Sequence, residues 1–316
     1  MKLIIQIPCL NEARTLPVTL RDLPAKIEGI DEIECLVIDD GSTDETVEVA
    51  RRHGVRHILS LGSNRGLARA FAAGLDYALA RGADVVVNTD ADNQYFGGDI
   101  AALVRPLLDQ KADLVVGCRP IKNHGEFGMC KKLLQLTGSW LLRLLSKTAV
   151  RDAASGFRAF SKETCMRLFV YSKFSYCMET LIQAGNSGMR VASVDIRVNP
   201  TTRPSRLFRN IPQYLCRSGC TMLNMFVLYR PGAFFISVSA VFFFVALALG
   251  ARFLWLVYWT GVPDHTRTYL PSLILLALCA LVSVFLFFLG ILGELLGAQR
   301  KIAEENMFLL KKKMYK

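Results

Sequence analysis

At 316 residues, the chain is long enough for one ordinary soluble domain and something more. Its formal net charge of +11 is unevenly placed: residues 1–200 carry 25 Lys/Arg against 23 Asp/Glu, and the rest carries 13 against 4. The basic excess therefore sits beside long apolar runs rather than on the soluble part, and nucleic acid is not the expected partner.

Taken in chain order, Met1-Lys2 is followed by too few apolar residues before Pro8 for the core of a secretory signal. Leu3–Ile7 instead reads as a buried strand, and so do Glu34–Ile38, His57–Leu61, Val85–Asn88 and Leu114–Val116. Periodic helices fall between them, near Thr15–Leu23, Thr43–Arg52, Leu67–Ala80 and Ile100–Leu108. Such alternation predicts an α/β domain with an open, mainly parallel sheet covered by helices on both faces. Ligands on these sheets bind beyond the carboxyl ends of the strands.

The last third changes character. Residues 203–230 interleave arginines with Leu207, Ile211, Tyr214 and Leu215 at helical spacing, which predicts an amphipathic helix lying on an anionic leaflet. Pro231–Ala251 and Thr268–Gly293 then run for 21 and 26 residues without a formal charge. About 20 apolar residues suffice to cross a bilayer. Arg203, Arg206, Arg209, Arg217 and Arg230 precede the first run. Arg300, Lys301 and Lys311–Lys313 follow the second, while the connecting loop holds Asp264, His265 and Arg267. Positive-inside bias places both termini in the cytosol. The nine cysteines show no C-x-x-C pair and no metal-ligand spacing with histidine, which fits reduced thiols.

Polar motifs stand where the sheet geometry makes them useful. Asp90-Ala91-Asp92-Asn93-Gln94 follows the strand ending near Asn88. Its oxygen donors suit a hard cation, Mg²⁺ or Mn²⁺, which would neutralise a departing pyrophosphate. Pro8-Cys9-Leu10-Asn11-Glu12 ends the first strand, and Asp39-Asp40-Gly41-Ser42-Thr43-Asp44 ends the second. Three acidic clusters on neighbouring strands would repel one another without a cation or a donor-rich ligand; nucleotide bases and riboses offer such donors. The second cluster also reads as a helix start capped by Ser42 or Thr43. Gly62-Ser63-Asn64-Arg65-Gly66 reads as a turn and helix start whose amides could meet a phosphate. No G-x-G-x-x-G or P-loop pattern occurs.

P-x-L-N-E, D-D-G-S-T-D and D-A-D-N-Q in this order resemble the family 2 inverting glycosyltransferases of GT-A fold. Within them the chain is similar to the polyprenyl-phosphate sugar transferases, the dolichol-phosphate mannose synthase group. The likeness covers roughly residues 1–200, and two C-terminal spans are a known layout there. It implies a GT-A catalytic domain over 1–200, amphipathic juxtamembrane helices over 201–230, transmembrane helices at 231–260 and 268–296, and a basic cytosolic tail at 297–316. By position it implies that Pro8, Asn11, Glu12, Asp39, Asp40 and Ala91 bind the nucleotide, and that Asp90, Asp92 and Gln94 hold the metal. Gly117-Cys118-Arg119 resembles the phosphate-facing G-S-R element. Asp152–Arg158 resembles the D-x-x-S-G-F-R element beside the reacting centre, and Ser205-Arg206 the Ser-Lys pair over the lipid phosphate.

The pattern departs in two places. Pro200 stands at the first arginine of the relatives' R-x-x-G-x-S-K, with Arg203 or Arg197 as substitutes. Gln135 stands for a serine near the basic Lys131 and Lys132.

The expected reaction moves a sugar from a UDP- or GDP-hexose to polyprenyl phosphate with inversion. Arg119 would stabilise charge, Asp152 would serve as base or orienter, and Glu179 is a second candidate base. Lys131, Arg203, Ser205 and Arg206 would meet the acceptor phosphate. The alternatives are transfer to a glycerolipid, a processive polysaccharide synthase, and a catalytically silent nucleotide-sugar binder. Partners are then a nucleotide-sugar, polyprenyl phosphate and the lipid bilayer; association into a homo-oligomer stays open.

Overall fold

The computed structural model describes residues 1–120, 148, 150–170, 176–200, 219–220, 223–224, 226–258 and 269–315. Two compact units emerge: residues 1–207 together with 305–316, and residues 208–304.

In the first unit, β1 (Lys2–Cys9) is buried from Leu3 onward. A strand apolar on both faces needs cover on both sides, the signature of a central parallel strand. Its neighbours are β2 (Glu32–Asp39) and β4 (Val85–Asn88), both parallel to it, and β3 (His57–Ser60) extends the sheet beyond β2. On the other side lie β5 (Leu114–Cys118), β6 (Arg158–Ser161) and β7 (Val191–Asp195). The strand order is β3-β2-β1-β4-β6-β5-β7. All neighbours run parallel except β6, which is antiparallel to both β4 and β5.

The five expected strands and the mainly parallel sheet are present. The antiparallel insertion of β6 was not anticipated, because its four residues open on a charged side chain. One face of the sheet packs Ile5, Ile7, Val37, Val85 and Val87 against residues of α1 (Leu16–Asp22) and α4 (Ile100–Leu108). On the other face, Phe71 of α3 (Leu67–Ala80) stacks on Tyr176 at 3.9 Å and meets Phe160 at 5.6 Å. Each fully buried aliphatic or aromatic side chain contributes roughly 1.5–3 kcal/mol. This core makes the sheet edge a rigid platform.

Three shorter helices complete the layers: α2 (Thr46–Arg52), α5 (Lys162–Arg167) and α6 (Tyr176–Asn186). In α5 the cap is explicit: Ser161 Oγ accepts from Thr164 N at 3.2 Å, as favoured at helix N-termini.

In the second unit, α7 (Pro231–Tyr258) and α8 (Leu270–Met314) are 28 and 45 residues long. Both are long and apolar enough to cross a membrane. They approach closely where small residues face the neighbour: a Cβ on Gly290 would lie 3.0 Å from Ile236. Ser239 and Ser283 exchange hydroxyl-to-carbonyl hydrogen bonds at 2.8 and 3.0 Å. Small residues and serine pairs are how helices adhere in lipid.

The segment expected as a separate tail continues the helix to Met314. Its final residues belong to the first unit, where Arg167 lies over the Phe308 ring at 3.7 Å and Lys311 pairs with Asp76 at 2.7 Å. Most of the expected amphipathic stretch, including Leu207, Ile211, Tyr214 and Leu215, lies outside the described residues.

Candidate active site at the carboxyl edge of the sheet

Because β1, β2 and β4 are adjacent and parallel, the three acidic motifs emerge at one edge of the sheet. The first two are locked together. Asn11, with φ +56°, accepts on Oδ1 from Thr43 N at 2.8 Å, and its own amide donates to Ser42 Oγ at 3.0 Å. Glu12 N donates to Thr46 Oγ1 at 2.9 Å. Ser42 and Thr43 therefore bridge two loops; the expected Ser/Thr helix cap is absent, since α2 starts at Thr46 with no side-chain cap.

The carboxylates find donors within the chain. Asp39 accepts from Ser42 N at 2.8 Å and Ser60 Oγ at 2.9 Å. Asp40 takes the amides of Arg65 at 2.7 Å and Gly66 at 2.9 Å. Two of the 62–66 amides that were candidates for a phosphate thus serve Asp40. Both oxygens of Asp40 hold the 62–66 loop. Much of the expected repulsion is therefore relieved by backbone N–H groups. For Asp44, burial works against ionisation, but the Thr46 hydroxyl and the Ala13 amide outweigh it and hold the carboxyl below its usual range. Gly41, at φ +81°, has no room for a Cβ, which would lie 2.6 Å from the Ser63 carbonyl carbon.

Beyond β4, the acidic loop is pinned from several directions. Ala91 is buried and its carbonyl accepts from Thr19 Oγ1 at 3.0 Å. Asp92 Oδ1 accepts from Gln94 N at 3.1 Å, and Gln94 O accepts from Asn199 N at 2.9 Å. Asp90 and Asp92 are both partly exposed. Among the described residues no group of three or more His, Cys, Asp or Glu converges. The oxygen donors of Asp90 and Asp92 are of the type that a hard divalent ion takes.

Arg119 and Asp152 make the strongest charged contact nearby. Nε meets Oδ2 at 2.7 Å and Nη2 meets Oδ1 at 3.0 Å, with Asp152 only 3% exposed. This two-pronged geometry fixes the guanidinium plane. Burial opposes the charge on Arg119, but the hydrogen bonds to Asp152, with Tyr95 and Asp90 nearby, outweigh it and keep it protonated. Both Asp152 oxygens thus accept from Arg119, one from each prong of the guanidinium. Glu179 is fully buried in α6. Arg197, a suggested substitute for the acceptor arginine, pairs with Asp99 at 2.6 Å and lies over Phe96 at 4.1 Å. Lys131, Lys132, Arg203, Ser205 and Arg206 lie outside the described residues.

Four residues escaped the sequence reading. Gln6 and Asn88 are fully buried on adjacent strands, and the signal was a polar residue in each otherwise aliphatic run. Tyr95 and Tyr176 are also buried and had no signal in spacing.

The sheet with its single antiparallel insertion and the acidic loop after β4 define the GT-A type of nucleotide-dependent transferase fold. A match to Glycosyl transferase family 2 spans residues 4–169, and the chain belongs to that family. It is 30% identical over 213 residues to a UDP-N-acetylglucosamine–dolichyl-phosphate N-acetylglucosaminyltransferase of Methanococcus voltae, covering 60% of this chain and 83% of the other. It is 28% identical over 206 residues to an undecaprenyl-phosphate mannosyltransferase of Micrococcus luteus, covering 62% and 83%. Among solved structures, a glucosyl-3-phosphoglycerate synthase of Mycobacterium tuberculosis with Mn²⁺, UDP and phosphoglyceric acid superposes with a TM-score of 0.54. Identity is 22%, with 72% and 77% of the two chains covered. At that identity the likeness speaks for the fold.

Proposed function

We propose that the protein transfers a hexose from a UDP- or GDP-sugar to a polyprenyl phosphate with inversion, its catalytic domain and both termini in the cytosol. The observation that carries this reading is the acidic loop at 90–94 beside the Arg119–Asp152 pair, in a chain whose relatives are named for transfer to polyprenyl phosphates.

In this reading Pro8, Asn11, Glu12 and Asp39 form the nucleoside wall, Ala91 its floor, and Asp40 holds the neighbouring loop. Asp90, Asp92 and Gln94 would hold Mg²⁺ or Mn²⁺, which when bound neutralises the diphosphate and makes it a better leaving group. Arg119, fixed by Asp152, adds positive charge where the departing phosphate gains negative charge. A phosphate acceptor is already ionised near neutral pH, so no side chain need remove its proton. Positioning then supplies much of the rate enhancement. One of its oxygens attacks the anomeric carbon opposite the leaving diphosphate, and that in-line path inverts the centre. Lys131, Arg203, Ser205 and Arg206 are proposed to meet the acceptor's head.

Purified full-length protein in detergent, given UDP- or GDP-sugars, Mg²⁺ or Mn²⁺ and either polyprenyl phosphate or diacylglycerol, tests the proposal. Label should enter the lipid phosphate, and Asp90→Ala and Asp92→Ala should lose both transfer and cation-dependent nucleotide binding while unfolding as the parent does. Label in diacylglycerol would move the acceptor assignment to glycerolipids. Undiminished turnover by either variant would remove the metal assignment.

A further inference from the structure

Three fully buried polar side chains cross the middle of the sheet in a row. Gln6 on β1 is in register with Asn88 on β4, and Asn88 is in register with Arg158 on β6. Buried polar groups cost several kcal/mol unless bonded, and here the bonds of Asn88 and Arg158 lead to the 152–157 loop and to α6. Gln6 Nε2 donates to Asn88 Oδ1 at 2.9 Å. Asn88 Nδ2 donates to Gly156 O at 3.0 Å and to Tyr176 Oη at 2.8 Å. Arg158 donates to the carbonyls of Ser155 and Ala153, each at 2.8 Å, and of Cys177 at 2.7 Å.

The opposite side of the same peptide segment is held by the acidic loop. Gly156 N donates to Tyr95 Oη at 3.2 Å, and the Tyr95 ring stacks on Phe157 at 5.1 Å and 7°. Gly156 is therefore clamped through its N–H by the loop that carries Asp90 and Asp92, and through its carbonyl by the strand that leads into that loop. Nothing larger than glycine fits: a Cβ would lie 2.8 Å from Tyr176 Oη and 3.2 and 3.3 Å from the Asp90 carboxylate oxygens.

We infer that Asn88, Tyr95 and Tyr176 are positioning residues that make the 152–157 loop move as one body with the acidic loop, so that donor binding sets the geometry of the Arg119–Asp152 side of the site. The inference rests on the reading above, in which nucleotide occupies the acidic loop and Arg119, fixed by Asp152, faces the departing phosphate. Tyr95 is the link between the two loops. Asn88 and Tyr176 are the fixed anchor against which that link pulls.

The test uses full-length protein in detergent with Tyr95→Phe, Tyr176→Phe and Asn88→Leu. Each hydroxyl deletion removes one hydrogen-bonding atom and keeps the ring packing, so these variants carry the test should Asn88→Leu not fold. Amide hydrogen exchange of peptides spanning 150–158 is measured with and without UDP or GDP plus Mg²⁺. In the parent protein, nucleotide should slow exchange there; in Tyr95→Phe this response should be lost while nucleotide affinity stays within about threefold, because Tyr95 acts through the loop and not on the nucleotide. Steady-state kinetics should show kcat lower by about 10- to 100-fold, the scale of a small misplacement, with donor KM little changed. Unchanged exchange and kcat in Tyr95→Phe, or equal loss of nucleotide affinity and kcat, would overturn the inference. Failure of the parent to label any lipid phosphate would instead overturn the functional reading. The exchange arm still decides the coupling in that case.

Discussion

Replacement of Asp152 separates two roles that the sequence left open. In the structure both its oxygens accept from Arg119, at 2.7 and 3.0 Å, and its side chain is 3% exposed. Removing one partner of a buried ion pair costs about 3–5 kcal/mol. Arg119 keeps 28% of its side-chain surface, so water can solvate part of the orphaned charge, and about 2–3 kcal/mol is the expected stability loss for Asp152→Ala. Asp152→Asn retains one acceptor for Nε but turns an N–H₂ group toward Nη2, so about 2 kcal/mol should be lost, one charge-assisted hydrogen bond's worth. Tilting Arg119 by a fraction of its length should lower kcat/KM by about a hundredfold, equivalent to roughly 2.7 kcal/mol of barrier. The assay is sugar transfer to polyprenyl phosphate across pH 5–9, with urea unfolding in parallel. An orienting Asp152 leaves the shape of the pH profile intact and lowers its height in Asp152→Asn. A loss above about 10⁴-fold, together with disappearance of the acid limb and unaltered stability, would show that Asp152 is the base and refute the argument.

Asp40→Ala should leave two loop amides without their acceptor and cost about 1–3 kcal/mol, lowering the thermal midpoint by about 3–10 °C and weakening nucleotide binding; a wild-type midpoint would contradict the bonds to Arg65 and Gly66. Stability should also fall in acid. The hydrogen bond from Arg190 holds Asp113 below its usual range, while for Asp44 and Glu34 burial is outweighed by hydrogen bonds, from Thr46 and Ala13 and from Lys2 and His57 respectively. Carboxyls lowered by folding contribute stability that is complete above their unfolded values near 4 and disappears as pH falls through the folded ones. Urea unfolding at pH 7, 5 and 3 should show a decline that flattens in Asp113→Asn; an identical slope would exclude that group. Between α7 and α8, a double-mutant cycle of Ser239→Ala and Ser283→Ala should return a coupling of about 0.5–2 kcal/mol in detergent unfolding, and additive effects would deny the paired hydrogen bonds.

How much was legible follows from which interactions are local. Leu3–Ile7 and Val85–Asn88 announce themselves because a strand covered on both faces is mostly aliphatic, so the run itself is the signal. The charge-free stretches within α7 and α8 are equally plain, since nothing but length and composition is required. The antiparallel β6 was not legible. Arg-Ala-Phe-Ser is too short for a period, and its place between β4 and β5 depends on pairings across long stretches of chain. The roles of Ser42 and Thr43 were misread for a related reason: a helix-cap reading considers the residues that follow, whereas their partner, Asn11, lies some 30 positions earlier. A separation of 25 and 26 positions likewise hid the use of the Arg65 and Gly66 amides by Asp40.

A polar residue inside an aliphatic strand looks, one strand at a time, like a weakness in the pattern. Gln6 interrupts Leu-Ile-Ile-Gln-Ile, Asn88 terminates three valines, and Arg158 opens β6. Each alone would reduce the apparent fitness of its strand for the core. The sheet order changes their meaning, because it places all three at one level on neighbouring strands. Asn88 gives Gln6 an acceptor and spends its own amide on Gly156 and Tyr176, while Arg158 gathers carbonyls that face no other strand. A wholly apolar row would have packed as well and left the 152–157 loop without anchors. The cost of burying polarity in the core is thus offset by anchorage of the 152–157 loop at the sheet edge.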